Sequence, residues 1–264
     1  MNLYASTTLF WGQPLETIFQ KVQDAELQGI ELWMEQMQLE NWSLPKIEQL
    51  MQQYNLAVSI HARSWDLNLA SLNEEIRNAS VHEIMNALYI SKALNCPSVT
   101  IHPGRKMIAS HPSIFYEQAM DKSLKTLYKA SKKIGVSISL ELLEELPKEL
   151  YFEPEALNRL LEKYPSFKTT FDIAHIGLQD NIEEKLCQLH NIDKIHISDA
   201  TEQKFHVALG TGQLRLPKTL WHRIEEQNVP VVLEGLCYDD TMFTQHLNYL
   251  KKLEIINHEL FSYK

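Results

Sequence analysis

Short strand-like runs and longer helix-like stretches alternate along the whole chain of 264 residues. The strand-like runs are rich in Ile, Val and Leu, and the stretches between them carry apolar residues at helical spacing. The predicted strands cover residues 3–9, 30–34, 56–60, 99–101, 136–140, 169–171, 195–197 and 231–233, and a helix follows each of them. This order is typical of parallel strands joined by crossover helices.

Capping residues set the limits of several predicted helices. Gly135 ends the fourth helix, because glycine readily takes the left-handed conformation that closes a helix. Ser43 is the predicted N-cap of the second helix and is followed by Pro45 in the first turn. Ser71 and Glu74 form a capping-box pattern, which predicts a long helix from there to about residue 94.

No linker, charge block or low-complexity tract divides the alternating pattern, and eight strands with eight helices are what one barrel needs. We therefore predict the α/β class, with a single (β/α)8 TIM barrel over residues 1–264.

Composition narrows the function classes. The hydrophobic fraction of 44% allows a full core, and no apolar run approaches the roughly 18 residues of a membrane span. The start of the chain lacks a basic, cleavable leader, and the three cysteines form no CxxC pair, so we expect a cytoplasmic protein without disulfides. The net charge of −9 argues against polyanion binding and favours a small-molecule substrate over DNA. We expect no membrane contact and find no sign of an obligatory protein partner.

Residues that bind metals recur where the predicted strands end. Carboxyl ends of barrel strands converge on one face, which carries the active site in this fold. An unpaired carboxylate directly after an apolar strand would cost several kcal/mol to desolvate, so a cation should hold it, and the neighbouring histidines favour a divalent metal. The candidate ligands are His61, His102, Glu141, Asp172, His175, His196, His206 and Glu234.

Other catalytic patterns are missing from the sequence. It contains no GxSxG nucleophile elbow, no P-loop and no GxGxxG. Gly210-Thr211-Gly212 lies outside a strand-to-helix turn, and we interpret it as a loop-shaping element. Four tryptophans are candidates for lining the mouth of the barrel or for packing: Trp11, Trp33, Trp42 and Trp65.

These motifs resemble the xylose isomerase-like barrel superfamily, and within it the endonuclease IV branch. The resemblance covers most of the chain and rests on His61, the HPG at 102–104, the FDIAH at 171–175, the IHISDA at 195–200, the HVALGTG at 206–212 and the LEG at 233–235. It implies one metal on His61, His102 and Glu141, and a second on Glu141, Asp172, His196 and Glu234. His175 and His206 would belong to a third.

Two departures from that pattern bear on the substrate. The third site expects an aspartate two residues before the loop histidine, where this chain has Lys204. The third ion is then absent, or Glu202 or Asp199 replaces the carboxylate, or the Lys204 ammonium contacts a substrate phosphate instead. The segment after strand two carries acidic residues and no Lys or Arg, unlike a basic DNA-recognition loop.

The leading hypothesis is a hydrolase of a phosphodiester or phosphoester with two zinc ions, or three, acting on abasic DNA or a small phosphodiester such as a cobamide. Glu141, Glu234 and Lys204 are its candidate catalytic residues. The alternative is a sugar or sugar-phosphate isomerase or epimerase with one Mn²⁺ or other divalent ion, which would need only the four inner ligands and not His61 or His102. A barrel with a purely structural metal site is the third hypothesis.

Overall fold

The computed structural model describes residues 1–255, which form one closed barrel of eight parallel strands in chain order, with β1 pairing both β2 and β8. The last residues of the predicted domain, 256–264, lie outside the described part. The strands are β1 (Asn2–Ser6), β2 (Gly29–Trp33), β3 (Ala57–His61), β4 (Ser98–Ile101), β5 (Ser137–Glu141), β6 (Lys168–Asp172), β7 (Ile192–Ile197) and β8 (Pro230–Leu233).

Nine α-helices occur in residues 1–255, one more than the eight predicted, because a short helix directly follows β2. They are α1 (Leu15–Asp24), α2 (Met34–Leu39), α3 (Leu44–Tyr54), α4 (Glu74–Ala93), α5 (Ser113–Ile134), α6 (Pro154–Lys163), α7 (Ile182–Gln188), α8 (Lys218–Glu226) and α9 (Thr241–Lys252). None of these helices is long and apolar enough to cross a lipid bilayer.

Apart from shifts of one residue, three predicted boundaries are wrong. The seventh strand starts at Ile192 and not at residue 195. The first strand ends at Ser6, and residues 7–10 form a 3₁₀ turn that Ser6 caps: its hydroxyl accepts from the N–H of Thr8. Helix α4 is capped by Asn73, not Ser71, since the Asn73 side chain accepts from the N–H groups of Glu75 and Ile76. The predicted Ser43 cap and Gly135 stop are confirmed.

The barrel interior is lined by polar side chains. Thr100 on β4 hydrogen-bonds Thr170 on β6 at 3.0 Å, and these strands are not neighbours, so the bond crosses the interior. Thr170 also bonds Ser139 on β5 at 2.7 Å. The fully buried apolar residues alternate with them along the strands, as Ile138 and Leu140 do beside Ser139, and belong to the core formed with the helices.

The position of the α4 cap can be tested. Replacing Asn73 with Ala removes the acceptor for two helix N–H groups, so we expect the free energy of unfolding to fall by about 1 kcal/mol. Replacing Ser71 with Ala is the matched control and should change it less. Urea denaturation followed by circular dichroism measures both, and a larger loss for Ser71→Ala would contradict the assignment.

Candidate metal centre

All eight predicted ligands lie at the carboxyl end of the barrel and form three adjoining groups. The central group is Glu141, Asp172, His196 and Glu234, and the flanking groups are His61, His102 and Glu141, and Asp172, His175 and His206. Within each group the ligand atoms lie within 4.8 Å of one another. Strand register brings them together: Asp172 on β6, for example, pairs directly with His196 on β7.

The central group is buried. His196 Nδ1 lies 2.8 Å from Glu234 Oε2, 3.5 Å from Glu141 Oε1 and 3.9 Å from Asp172 Oδ2. Three of these buried atoms have no hydrogen-bond partner of good geometry, namely Asp172 Oδ2, His196 Nδ1 and Glu234 Oε2. Buried polar atoms in proteins are usually paired, and a cluster of unpaired ligand atoms fits a shared cation. One imidazole and three carboxylates suit Zn²⁺ or Mn²⁺.

The first flanking group places two imidazoles against Glu141. The Nε2 atoms of His61 and His102 each lie 3.3 Å from Glu141 Oε2. His61 Nδ1 contacts the carbonyl oxygen of Ala62 at 2.7 Å and must be the donor there, because a carbonyl only accepts. A neutral His61 therefore turns an unprotonated Nε2 towards a carboxylate. That arrangement is stable only with a proton or a metal ion between the two atoms.

In the second flanking group, the carboxylate is that of Asp172 and not that of Glu202 or Asp199. Asp172, which the sequence assigned only to the central group, also completes the group of His175 and His206. The Nε2 atoms of the two histidines lie 3.2 Å apart, while His175 Nδ1 donates to the carbonyl oxygen of Leu142. His206 has a positive φ of 54°. This conformation is uncommon outside glycine and asparagine, and it aims the loop histidine at the site.

Neither proposed substitute supplies the missing ligand. The buried carboxylate of Asp199 accepts four backbone N–H groups, from Ala200, Gly210, Gly212 and Leu214, so its oxygens organise the loop instead. Glu202 is exposed and belongs to none of the three ligand groups found among the described residues. The Gly-Thr-Gly segment is confirmed as loop-shaping, since a Cβ on Gly212 would lie 2.3 Å from the Asp199 carboxylate.

The candidate acidic ligands are of two kinds, those whose pKa is lowered and one whose pKa is raised. Burial raises the pKa of Glu141 and of Glu234, but attraction to His196, joined at Glu141 by His102, outweighs burial and holds each pKa below its usual range. Burial raises the pKa of Asp172 to about 6, because His175 and His206 compensate only in part. Burial lowers the pKa of His175, but the surrounding carboxylates raise it to about 9. Burial likewise lowers the pKa of His102 and of His196, but the neighbouring carboxylates outweigh it and raise both, so protons compete with a metal in all three groups.

A cavity of about 210 Å³ opens over these groups. It is lined by Thr8, Trp33, Trp65, His102, Glu141, His175, Lys204, Phe205, His206, Glu234, Gly235 and Leu236. Of the four predicted mouth aromatics, Trp33 and Trp65 line it, and Trp11 stacks on Trp65 with ring centroids 5.5 Å apart. Trp42 packs against the core. Lys204 reaches the cavity wall but belongs to no ligand group.

Two charged residues of the site were missed in the sequence. Glu31 on β2 and Lys194 on β7 are buried and form an ion pair across the interior, directly beneath His196. The signal was present in GIELW and KIHIS, where a charged residue stands two positions before an inward-facing residue at a strand end. Burial opposes ionisation of Glu31, but Lys194 and His196 together hold its pKa below the usual range.

Known proteins share this fold and, in part, its sequence. One relative is an uncharacterised protein of Methanocaldococcus jannaschii, 29% identical over 170 residues that make up 63% of this chain and 65% of that protein, just under two thirds of its length. A D-tagatose 3-epimerase-like protein superimposes with a TM-score of 0.84 at 22% identity, covering 97% of this chain and 98% of the other. A 3-keto-D-glucoside 4-epimerase from E. coli gives 0.81 at 15% identity, covering 97% and 100%.

A family model matches residues 19–253, which include all eight predicted ligands and seven of the eight strands. Its description is the xylose isomerase-like TIM barrel. The resemblance inferred from the strand-end motifs is thereby confirmed at the level of the superfamily. The chain belongs to the family of xylose isomerase-like TIM barrels.

Proposed function

We propose that the protein is a divalent-metal-dependent isomerase or epimerase acting on a sugar or a related polyhydroxylated small molecule. The observation that carries the proposal is the placement of Glu141 and Glu234. Both belong to the central ligand group, both line the cavity, and β6 and β7 separate the strands that present them. Two carboxylates that approach one small molecule from different sides suit the transfer of a proton next to a carbonyl group.

The chemistry follows from those positions. A divalent ion held by the central group would polarise the carbonyl oxygen of the substrate. One glutamate, as the carboxylate, removes the proton from the carbon beside that carbonyl, and the electron pair forms an enediolate. The other, protonated, returns a proton to the opposite face, which inverts the carbon. The first glutamic acid then releases its proton to solvent and the second glutamate takes one up, so charge and protons balance over a turnover.

The cavity and the known relatives support a small substrate. A volume of about 210 Å³ is below the usual range for drug-sized ligands, and its aromatic walls suit the apolar faces of a sugar ring. The two similar structures described above carry names of sugar epimerases, one of them acting on a keto-glucoside. These names favour the isomerase or epimerase over the hydrolase that the sequence placed first.

The second candidate is a phosphoesterase with two or more zinc ions. The first flanking group favours it, because His61 and His102 exceed what a one-metal isomerase requires. A second ion beside the first would share Glu141. The same barrel end would then suit in-line attack on phosphorus.

Proton transfer can be measured directly. The metal-loaded protein should incorporate deuterium from D₂O next to the carbonyl of a ketose and form its epimer, followed by NMR over a panel of ketopentoses and ketohexoses. Glu141→Gln and Glu234→Gln should each slow this exchange by about 10²- to 10⁴-fold, since each removes one proton carrier.

Glu35→Gln is the control for that experiment. Glu35 is a buried carboxylate near the mouth that accepts from the backbone N–H groups of Ser64 and Trp65 and belongs to none of the three ligand groups. It should keep most of the activity. Hydrolysis of a phosphodiester such as bis(p-nitrophenyl) phosphate, with no deuterium exchange into any ketose, would refute the isomerase and support the second candidate.

The number of tightly bound metal ions also distinguishes the isomerase from the phosphoesterase. We expect one tightly bound divalent ion per chain after dialysis, measured by inductively coupled plasma mass spectrometry. His102→Ala should keep that ion and most of the exchange activity, because His102 lies outside the central group. Two or more tightly bound zinc ions, with activity lost in His102→Ala, would contradict this expectation.

We further propose that Lys204 recognises an anionic group on the substrate. Its side chain lines the cavity and forms no ion pair or side-chain hydrogen bond with the rest of residues 1–255.

Lys204→Ala should raise KM for a phosphorylated sugar by about tenfold, the effect of one lost charge-assisted hydrogen bond, and leave KM for the neutral sugar unchanged. Arg105→Ala, an exposed cation that does not line the cavity, is the matched control. Equal effects of the two variants would contradict a specific contact.

A further inference from the structure

Glu31 is a fully buried carboxylate that takes no part in the proton transfer described above. It stands on β2, inside the barrel and two residues before the strand's end at Trp33. A carboxylate buried this deeply costs several kcal/mol unless charges and hydrogen bonds compensate. The contacts of the Glu31 carboxylate indicate its role.

Two groups from two other strands contact one oxygen of the Glu31 carboxylate, Oε2. Lys194 on β7 forms an ion pair with Oε2, and the Ser59 hydroxyl on β3 donates to the same oxygen at 2.9 Å. Lys194 Nζ also donates to Thr100 Oγ1 on β4 at 2.8 Å. The carboxylate is thus fixed in position and in charge, and only its second oxygen, Oε1, remains for another contact.

That second oxygen meets His196. Glu31 Oε1 lies 2.8 Å from His196 Nε2, an ion-pair distance, although the angle is off the ideal direction of a hydrogen bond. The other ring nitrogen, Nδ1, faces the central ligand group. The imidazole of His196 therefore lies between the fixed Glu31 carboxylate and the candidate metal position, and its two ring nitrogens make different contacts.

We propose that Glu31 is a positioning residue for the metal centre: its carboxylate holds the Nε2–H side of His196, so that the Nδ1 lone pair is presented to the ion. Metal-binding histidines commonly donate their other N–H to a carboxylate, which fixes the tautomer and the ring orientation and makes the ligand more basic. Lys194 supports this role of Glu31, because its positive charge keeps Glu31 ionised where burial alone would favour the neutral acid. The inference rests on the metal centre of the proposed function and is independent of the reaction catalysed there.

Metal affinity tests this role without any substrate. Glu31→Gln keeps the size of the side chain and removes its charge. It should weaken Co²⁺ binding by about 10- to 100-fold, the usual effect of losing such a carboxylate partner. Competition with a chromophoric chelator measures the dissociation constant, and the visible d–d absorption of bound Co²⁺ reports the ligand geometry, which a merely structural role for Glu31 would leave unchanged.

Asp193→Asn is the matched control. Asp193 is the half-buried neighbour of Lys194, and its carboxylate accepts from Ser139 at 2.6 Å without touching a ligand histidine. It should leave the Co²⁺ dissociation constant and spectrum close to those of the wild type. Equal weakening in both variants would overturn the specific role and assign the effect to the charge of the interior as a whole.

Glu31→Gln leaves the buried Lys194 ammonium without its partner, so this variant can fail to fold. The double variant Glu31→Leu, Lys194→Met removes both charges together and fills a similar volume, which is often neutral for stability. It should fold and still bind Co²⁺ at least tenfold more weakly. Wild-type affinity in this folded variant would overturn the proposal. Wild-type protein that binds no Co²⁺ would refute the metal centre as well, whereas weakened binding without ketose exchange would refute only the isomerase.

Discussion

Four carboxylates buried inside one barrel impose the constraint on which this structure depends. Glu31, Glu141, Asp172 and Glu234 are each less than a tenth exposed, and their negative charges lie within a few side chains of one another. Lys194 is the one lysine or arginine within residues 1–255 that forms an ion pair with any of them. It offsets Glu31 alone. The remaining three require protons on the surrounding histidines or a divalent cation, so the fold and the metal centre are parts of one charge balance.

Polar side chains in the barrel interior stabilise the buried ammonium group of Lys194. Barrels of this fold usually fill their interior with branched apolar side chains. Here Thr100, Ser139 and Thr170 occupy inward positions and form a continuous set of hydrogen bonds that reaches Lys194. A buried ammonium needs such acceptors, and the hydroxyl groups supply them without adding charge. The apolar packing that holds the barrel closed lies between the strands and the helices.

Sequence patterns predicted the fold and the eight candidate ligands that the structure brings together, because both depend on local order: strands alternate with helices, and ligand types stand where strands end. Other features depend on contacts between distant elements. Glu31 belongs to a run that looked apolar, and its importance comes from Lys194 more than 160 positions away. Hydroxyl residues stand two positions before His61, His102, Glu141 and Asp172 and were a signal of the polar interior, but the strands were interpreted as continuously apolar. The cap at Asn73 was missed because Ser71 and Glu74 offered a more familiar pattern. Likewise, only the three-dimensional arrangement shows that Asp172 serves two ligand groups.

The loop that carries Lys204 and His206 is anchored separately from the residues at its tip. Asp199 binds backbone N–H groups on the far side of the loop, and Asp199 and Val207 exchange two hydrogen bonds of 2.8 Å across its base. Residues 201–205 project beyond this closure and are mostly exposed. Substitutions in these five positions therefore cost little stability, and those at Lys204 and Phe205 change the wall of the cavity. The chemistry of the cavity mouth can thus be altered at the tip of this loop without disturbing the barrel beneath it.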